Sequence, residues 1–352
     1  EGMGLPHAFH RPTPKIMPGL EIPTVIIYEN TYSPPAIRAD RCYEFGKTLG
    51  KDKGSIDKAV AAAFSAQADF KKKLIARGKE VIDGLKPEDT ALVIVGRAYN
   101  TTDSGINLEL PQKLREMGTI AIPGDMLDVD SVTEGALAED MYWRSGQRIL
   151  AAAKMIMTDN RLFSIYITNF GCGPDSMITH FYKDVSSGKP FLQLEIDEHS
   201  ADAGAITRCE AFLDSIRNTK GRLRIEVREK QVLDRSGIKK KLYLPNMSDG
   251  VHGIAAAFRA CGLDAEVMPE PDEDSLKWGR RYTSGRECYP AILTTGDMVK
   301  VLKREGFDPK RSAFFMPSGN GPCRSGHSER YPRLYLVELG VHHLLVSEPD
   351  QD

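Results

Sequence analysis

Short apolar strands alternate with helical segments along most of this 352-residue chain. The stretches 91–95, 162–168, 191–196 and 313–316 are rich in β-branched and aromatic residues, and segments with helical spacing of apolar residues separate them. Strands that alternate with helices of about 10–15 residues are typical of a doubly wound parallel sheet. The sequence therefore predicts an α/β fold with two tandem Rossmann-like domains and a cleft between them.

A charged stretch interrupts this alternation and suggests where the domains meet. We expect an irregular N-terminal segment at 1–50, a first α/β domain at 51–217, a hairpin or linker at 218–240 and a second α/β domain at 241–352. The length suits about two domains of roughly 100–200 residues each. The chain starts with Glu rather than Met, and its last predicted strand lies near its end. We therefore expect a fragment of a longer protein, with an incomplete second domain.

Composition excludes several classes of function. The chain has 47 basic and 49 acidic residues, a net charge of -2 and no basic stripe, so we expect no nucleic-acid partner. No apolar run reaches the roughly 18–20 residues that a membrane span requires, and no signal peptide is visible. The sequence therefore predicts a cytoplasmic protein without a membrane partner.

Three of the six cysteines lie in glycine-containing loops that precede predicted helices. They are Cys172 in NFGCGPDS, Cys288 in SGRECYP and Cys323 in SGNGPCRSG. Gly171 and Gly173 carry no Cβ, so the backbone can approach a bulky inorganic group closely. A helix N-terminus is expected to lower the pKa of a thiol, which favours the thiolate that a metal needs. Cytosolic cysteines in such loops are more often metal ligands or catalytic groups than disulfide partners.

The loops also carry charged residues suited to an anionic cofactor. Arg286 and Arg324 flank their cysteines and are expected to bind near the cofactor and offset its negative charge. The long separations between the three cysteines match no zinc ribbon, zinc finger or ferredoxin, and the chain contains no C-x-x-C. The residues alone predict a soft-metal site made from dispersed loops, without choosing among iron–sulfur, zinc and a catalytic thiol.

Other residues near these loops are candidates for chemistry. Glu287 is the candidate general acid or base, because a carboxylate in a water-poor cleft has a raised pKa. His180 and His327 are candidates for a fourth ligand, although either residue type is more often an ordinary polar group. Cys209 and Cys261 lie within helical patterns, so we expect them to pack in the core.

No nucleotide-binding loop is visible. Neither G-x-G-x-x-G nor G-x-x-x-x-G-K-[ST] follows any predicted strand. We therefore expect ATP to bind a partner or a missing segment rather than this chain. The polar loop at 96–100, GRAYN, follows the first strand of the predicted first domain and should lie at the same sheet edge as the cysteine loops.

The segments NFGCGPDS, YTSGRECYP, ILTTGDM and FFMPSGNGPCR together resemble the family of 2-hydroxyacyl-CoA dehydratases and CoA-substrate-specific activase-related proteins, which includes the double-cubane-cluster proteins. The resemblance extends over about 90–346. It implies two Rossmann-like domains with a cysteine-bound cluster between them, here with Cys172, Cys288 and Cys323 as ligands. It also implies an ATP-hydrolysing activase, separate or fused, that supplies a low-potential electron. Ala291 stands where the related motif often has another cysteine, which favours a single [4Fe–4S] cluster over a double-cubane cluster.

Three functional hypotheses follow. The first is an iron–sulfur module of an ATP-activated low-potential reductase or 2-hydroxyacyl-CoA dehydratase-like system. It would accept an electron from the activase and pass it to a small-molecule substrate, with an acyl-CoA as one option, in a chain that is monomeric or forms a homo- or heterodimer. The second is a non-catalytic sensor or scaffold that binds a cluster or zinc. The third is a plain α/β binding module with unliganded cysteines.

Overall fold

The computed structural model describes residues 35–132, 141–169, 172–186, 188–197, 199–200, 202–219, 240–317, 323–327, 331–341 and 345–347. Most of the linker predicted at 218–240 lies outside these residues. The strands are β1 (Ala91–Gly96), β2 (Ile120–Pro123), β3 (Leu162–Asn169), β4 (Phe191–Ile196), β5 (Lys241–Leu244), β6 (Asp264–Val267), β7 (Ser312–Phe315) and β8 (Leu345–Ser347). The helices are α1 (Pro35–Thr48), α2 (Lys53–Asp83), α3 (Ala98–Thr102), α4 (Leu110–Glu116), α5 (Arg144–Met157), α6 (Gly173–Val185), α7 (Asp202–Thr219), α8 (Gly250–Ala260), α9 (Glu273–Tyr282), α10 (Tyr289–Leu302) and α11 (Tyr331–Glu338).

These strands form two four-stranded parallel sheets. The first has the order β2-β1-β3-β4 and the second β6-β5-β7-β8. Side chains of β1 are buried on both faces: Leu92 and Ile94 belong to one apolar cluster, and Val93 and Val95 to another. Such strands need helices on both sides of the sheet. The mixed α/β fold with parallel sheets is therefore confirmed, while the division into tandem domains stays a prediction.

One apolar cluster contains side chains from both sheets. Tyr166 of β3 and Met177 of α6 belong to the same buried cluster as Phe314 of β7 and Met316 just beyond it. A second cluster covers the other face of the first sheet, and a smaller one, around Leu244, covers the other face of the second. The two sheets therefore share one apolar cluster, and this packing holds the residues near their strand ends in place.

Three helices were not predicted from the sequence. The short α3 begins inside the segment predicted as a polar loop at 96–100, so that prediction is wrong from residue 98 onward; its five residues are too few to show an apolar periodicity. Helix α1 lies within the segment expected to be irregular, so that expectation was too broad for 35–48. Helix α9 begins with a capping box between Asp272 and Ser275. It packs closely on α10 at Gly279, where a methyl group would overlap the Ile292 carbonyl. The ten residues of α9, EDSLKWGRRY, are mostly charged and include few apolar side chains, which explains why α9 was missed.

Across the part of the chain that the structure describes, no helix combines the length and hydropathy that a bilayer crossing demands. The longest, α2, has 31 residues and a largely exposed polar surface.

Candidate functional site

Two of the three cysteine loops are built alike. Cys172 is the N-cap of α6 and Cys288 is the N-cap of α10, each with extended backbone angles. Pro174 and Pro290 stand in the first turns, where a missing N–H is harmless. Both cysteines are half-buried. Each therefore lies at the positive end of a helix of 13 or 14 residues, as the sequence predicted.

The third cysteine has a different setting. Cys323 is exposed and precedes a single turn of 3₁₀ helix at Arg324–His327. Its carbonyl oxygen accepts a hydrogen bond of 2.9 Å from the Tyr142 hydroxyl. Tyr142 lies just before α5, so this contact ties the third loop to the first sheet's helices.

A single guanidinium connects the three loops. Arg324 Nη1 donates to Ser176 Oγ at 2.7 Å and to the carbonyl of Gly173 at 3.4 Å, both in the first turn of α6. It also donates to the carbonyl of Arg286 at 3.0 Å, in the loop of the second cysteine. All three acceptors are neutral oxygens, so these contacts leave its positive charge uncompensated. The loops that the sequence singled out are therefore neighbours in the fold.

Arg286 has a different electrostatic partner. Its Nη2 lies 2.8 Å from Glu195 Oε2, at the carboxyl end of β4. A close carboxylate offsets most of the guanidinium charge. Of the two arginines predicted to balance an anionic cofactor, Arg324 is therefore the better placed.

Glu287 connects elements that carry or follow all three cysteines. Its Oε1 accepts hydrogen bonds of 3.0 Å from both the backbone N–H and the hydroxyl of Ser284, and of 3.2 Å from the Tyr331 hydroxyl. His180 Nε2, on α6, contacts the same oxygen. Tyr331 begins α11, and its hydroxyl also donates to the Tyr282 carbonyl at 3.0 Å. One carboxylate thus joins the second loop to α6 and α11.

The expected direction of the Glu287 pKa is wrong, while its catalytic role stays a prediction. Burial by itself would raise the pKa of Glu287, but hydrogen bonds from His180 and the Ser284 backbone outweigh it and lower the pKa to about 2. The carboxylate is therefore ionised at neutral pH and has no proton to donate. Its contacts describe a residue that positions the loop rather than a general acid.

The Cys172 thiol also departs from expectation. Burial, followed by the nearby Asp175 carboxylate, raises the pKa of Cys172 to about 11, although a helix N-terminus was expected to lower it. Asp175 Oδ1 is 3.4 Å from Arg97 Nε and accepts a 3.1 Å hydrogen bond from the Tyr166 hydroxyl. The metal-free thiol is thus neutral at pH 7, whereas a bound metal cation would deprotonate it.

The glycines around Cys172 were predicted to let a cofactor approach. Gly171 lies outside the described residues. Among the described residues, a Cβ at Gly173 would meet the Arg324 side chain, at an ordinary contact distance of 3.9 Å. Packing against the described part of the chain therefore tolerates a side chain at Gly173.

Within the described ranges, no group of three or more His, Cys, Asp and Glu side chains is arranged to hold a metal ion. A closed four-ligand zinc site, as in structural zinc proteins, is therefore not preformed there. In an iron–sulfur cluster each thiolate binds a different iron, so its cysteines are spread more widely than ligands of one ion. Three thiols on adjoining loops suit that soft-ligand chemistry.

The two candidate histidine ligands have other contacts. His180 contacts Glu287, as described above. His327 is fully buried, with its ring 4.3 Å from both Tyr142 and Trp143, stacked on the first and edge-on to the second. These surroundings are those of a core aromatic residue, and they favour neither histidine as a ligand.

Two further observations concern residues outside the predicted ligands. Cys209 is buried in α7, as predicted, whereas Cys261 is exposed at the end of α8, so its predicted core position is wrong.

Sequence reasoning missed Asp175 and Tyr331 as parts of the site. Asp175 had a usable signal, because an acidic residue at the third position of a helix that starts at a cysteine lies near that thiol. Tyr331 had none, since its partner comes from a distant loop.

The fold and site define a class: an α/β protein with two parallel sheets and three cysteine loops that adjoin. Residues 19–127 match the family model described as "CoA enzyme activase uncharacterised domain", which relates the chain to the CoA-substrate activase family. The match covers α1 to β2 and ends before the first cysteine loop, so the predicted ligands stay untested by it. No curated protein and no solved structure matches the chain.

Proposed function

We propose that this chain is the iron–sulfur component of a CoA-enzyme activation system. Cys172, Cys288 and Cys323 would hold a [4Fe–4S] cluster, with a double-cubane cluster as the larger option. An ATP-hydrolysing activase, separate or fused, would supply the electron, and a small molecule or an acyl-CoA would receive it. The observation that carries the proposal is the set of hydrogen bonds from Arg324, which bring the three cysteine loops together.

The residues of the chain would act by positioning and electrostatics. Helix N-termini at Cys172 and Cys288 favour the thiolate form once a cation is bound. Arg324 places a positive charge, bonded only to neutral oxygens in these contacts, beside the loops, which suits an anionic group. Glu287 holds the second loop against α6. When bound, the cluster would supply one-electron transfer at low potential, a chemistry that no side chain provides.

The match to an activase-related domain supports the same system from a separate part of the chain. The proposal that the cluster passes its electron to a substrate goes beyond that match. It rests on the resemblance of the cysteine loops to the dehydratase-related family and on the adjacency of those loops.

The deciding experiment is anaerobic purification with iron and sulfide quantitation and a visible spectrum. For the wild-type chain we expect about four iron and four sulfide per chain, the content of a cubane cluster. Cys172→Ala, Cys288→Ala and Cys323→Ala should each lose most of the iron. Cys261→Ala is the matched control, because Cys261 is exposed at the end of α8 and lies outside the three loops.

Other outcomes discriminate among the hypotheses. About eight iron per chain would favour a double-cubane cluster. Stoichiometric zinc would replace the redox proposal by the sensor or scaffold. Iron that persists in all three cysteine variants, or no metal after anaerobic handling, would contradict the ligand assignment. As a second readout, Arg324→Met should lower iron retention more than Arg286→Met, because Arg286 is already paired with Glu195.

A further inference from the structure

An open pocket lies at the carboxyl ends of β1 and β2, next to the cysteine loops. Its cavity volume is about 70 Å³, and the remaining space opens to solvent. The lining includes Gly96 and Arg97 after β1, Asp125 after β2, and Ser145, Arg148 and Ile149 on α5. Ligands of open parallel sheets bind at this end of the strands. The position is therefore one where a small ligand is expected, yet the cysteine chemistry makes no use of it.

The charged groups at the pocket are unequally paired. Arg148 Nη2 is 3.5 Å from Asp125 Oδ1, and its Nε is 4.0 Å from Asp130 Oδ1. Both distances exceed the roughly 2.7–2.9 Å of a strong charge-assisted hydrogen bond. Asp130 instead makes closer contacts with Arg144, at 3.2 Å, and with Lys71. Lys71, Arg144 and Arg148 thus all approach Asp130, and among these three cations Arg148 makes the longest contact with it.

Arg148 is the cation best placed to bind a ligand. Its side chain is 39% exposed and lines the pocket, whereas Arg144, one turn earlier on α5, does not line it. The guanidinium offers several N–H donors in a planar arrangement that matches the oxygens of a carboxylate or phosphate. Arg97, buried and bonded to Asp175, adds a second guanidinium to the wall.

The rest of the lining limits the size and character of the ligand. Val129, Ile149 and Ala152 contribute apolar side chains to the lining beside the charged groups. A pocket that combines an apolar wall with a few convergent polar groups is typical of small-molecule sites. A small oxyanion with a short apolar portion would satisfy both parts.

We propose that this pocket binds a small molecule through an oxyanion group, a carboxylate or a phosphate, held by Arg148. The inference is independent of the iron–sulfur proposal, because none of these residues is a predicted cluster ligand. Asp125 competes with the ligand for Arg148, since it lies in the pocket and contacts the same guanidinium.

Calorimetric titration of the purified chain at constant ionic strength tests this site. Inorganic phosphate and butyrate are the two probes, and they distinguish a phosphate from a carboxylate ligand. We expect one of them to bind, with affinity reduced about tenfold or more in Arg148→Gln, the value of one charge-assisted contact. Arg144→Gln is the matched control, because Arg144 shares Asp130 with Arg148 but lies outside the pocket lining; its affinity should stay within about twofold of wild type.

The affinity of the Asp125→Asn variant distinguishes the proposed competition for Arg148 from a damaged fold. Removing the competing carboxylate should raise the affinity several-fold, whereas a damaged fold would lower it. Failure of both probes to bind the wild-type chain at up to about 50 mM, an affinity too weak for a specific charged contact, overturns the proposal. Equal losses in Arg148→Gln and Arg144→Gln also overturn it, because they would show a general charge effect rather than this site.

Discussion

Helices α6 and α10 begin in the same way but place their carboxylates differently. Each starts with cysteine, one further residue and proline. In α6 the third residue is Asp175, which bonds to Arg97 and Tyr166 around the first sheet. In α10 the third residue is Ala291, and the carboxylate of Glu287 instead precedes the cysteine. Both helices therefore start with the same Cys-x-Pro pattern. The acidic residue follows the proline in α6 and precedes the cysteine in α10, and this position decides which elements its carboxylate contacts.

The two helices also pack by different means. Helix α6 buries large side chains, among them Met177, Ile178 and Tyr182. Helix α10 lies so close to α9 that glycines form the contact, with Gly279 against the Ile292 carbonyl and Gly296 against the Ser275 carbonyl. Close backbone approach makes α10 intolerant of added volume, whereas the start of α6 has room for it.

The largest expected effect comes from filling that contact. Gly296→Ala would place a methyl group on the Ser275 carbonyl and should cost more than about 3 kcal/mol of unfolding free energy, because backbone cannot move aside cheaply. Gly173→Ala, at the start of α6, should cost less than about 0.5 kcal/mol. Urea denaturation followed by circular dichroism measures both. Similar losses in the two variants would mean that the packing difference between the helices is not real.

The next effect concerns the two carboxylates. Glu287→Ala should cost about 2–3 kcal/mol, because it leaves His180, Ser284 and Tyr331 without a buried acceptor. Hydrogen exchange should show reduced protection in both α6 and α11. Asp175→Ala should reduce protection mainly around β1 and β3.

Glu287→Gln is the matched control, because glutamine has nearly the same shape and keeps one acceptor oxygen. This variant should lose less stability than the alanine variant. Protection lost only in the Ser284–Glu287 loop after Glu287→Ala would contradict the assignment of Glu287 as a link between elements.

The smallest expected effect concerns the reactivity of the Cys172 thiol at the start of α6. In the metal-free chain, burial and Asp175 raise the pKa of Cys172 to about 11, so its alkylation by iodoacetamide should be slow at pH 7 and speed up as the pH rises toward 11. Asp175→Asn removes the negative charge, which lowers the pKa and raises the thiolate fraction at any given pH below it. Mass spectrometry of the Cys172 peptide, with the exposed Cys261 as reference, gives the rates. An unchanged rate in Asp175→Asn would show that the carboxylate does not act on the thiol.

Much of the first sheet and of the helix starts was predictable. Strand β4 has the bounds that the sequence predicted, and Cys172 and Cys288 stand where predicted helices begin. These signals are local, because apolar periodicity and a proline in the first turn act within a few residues. The direction of the Glu287 pKa was not predictable in this way, since it depends on the groups that pack against the carboxylate. Helix α9 has a local signal in its Asp272–Ser275 capping box, but few of its residues are apolar, so apolar periodicity did not reveal it.

The sequence by itself determined the order of the described strands and of most helices, the parallel α/β class and the placement of two cysteines at helix starts, because each follows from short-range pattern. Only the tertiary structure decided that Arg324 bonds to Ser176, 148 residues away, and that Glu287 is an ionised link to His180, 107 residues away. It also decided that Arg148, rather than Arg144, lines the pocket beside β1 and β2. The first two contacts join segments that lie far apart along the chain, and the third depends on which side of α5 faces the pocket. Burial and hydrogen bonding therefore determine these contacts only after the sheets have packed together.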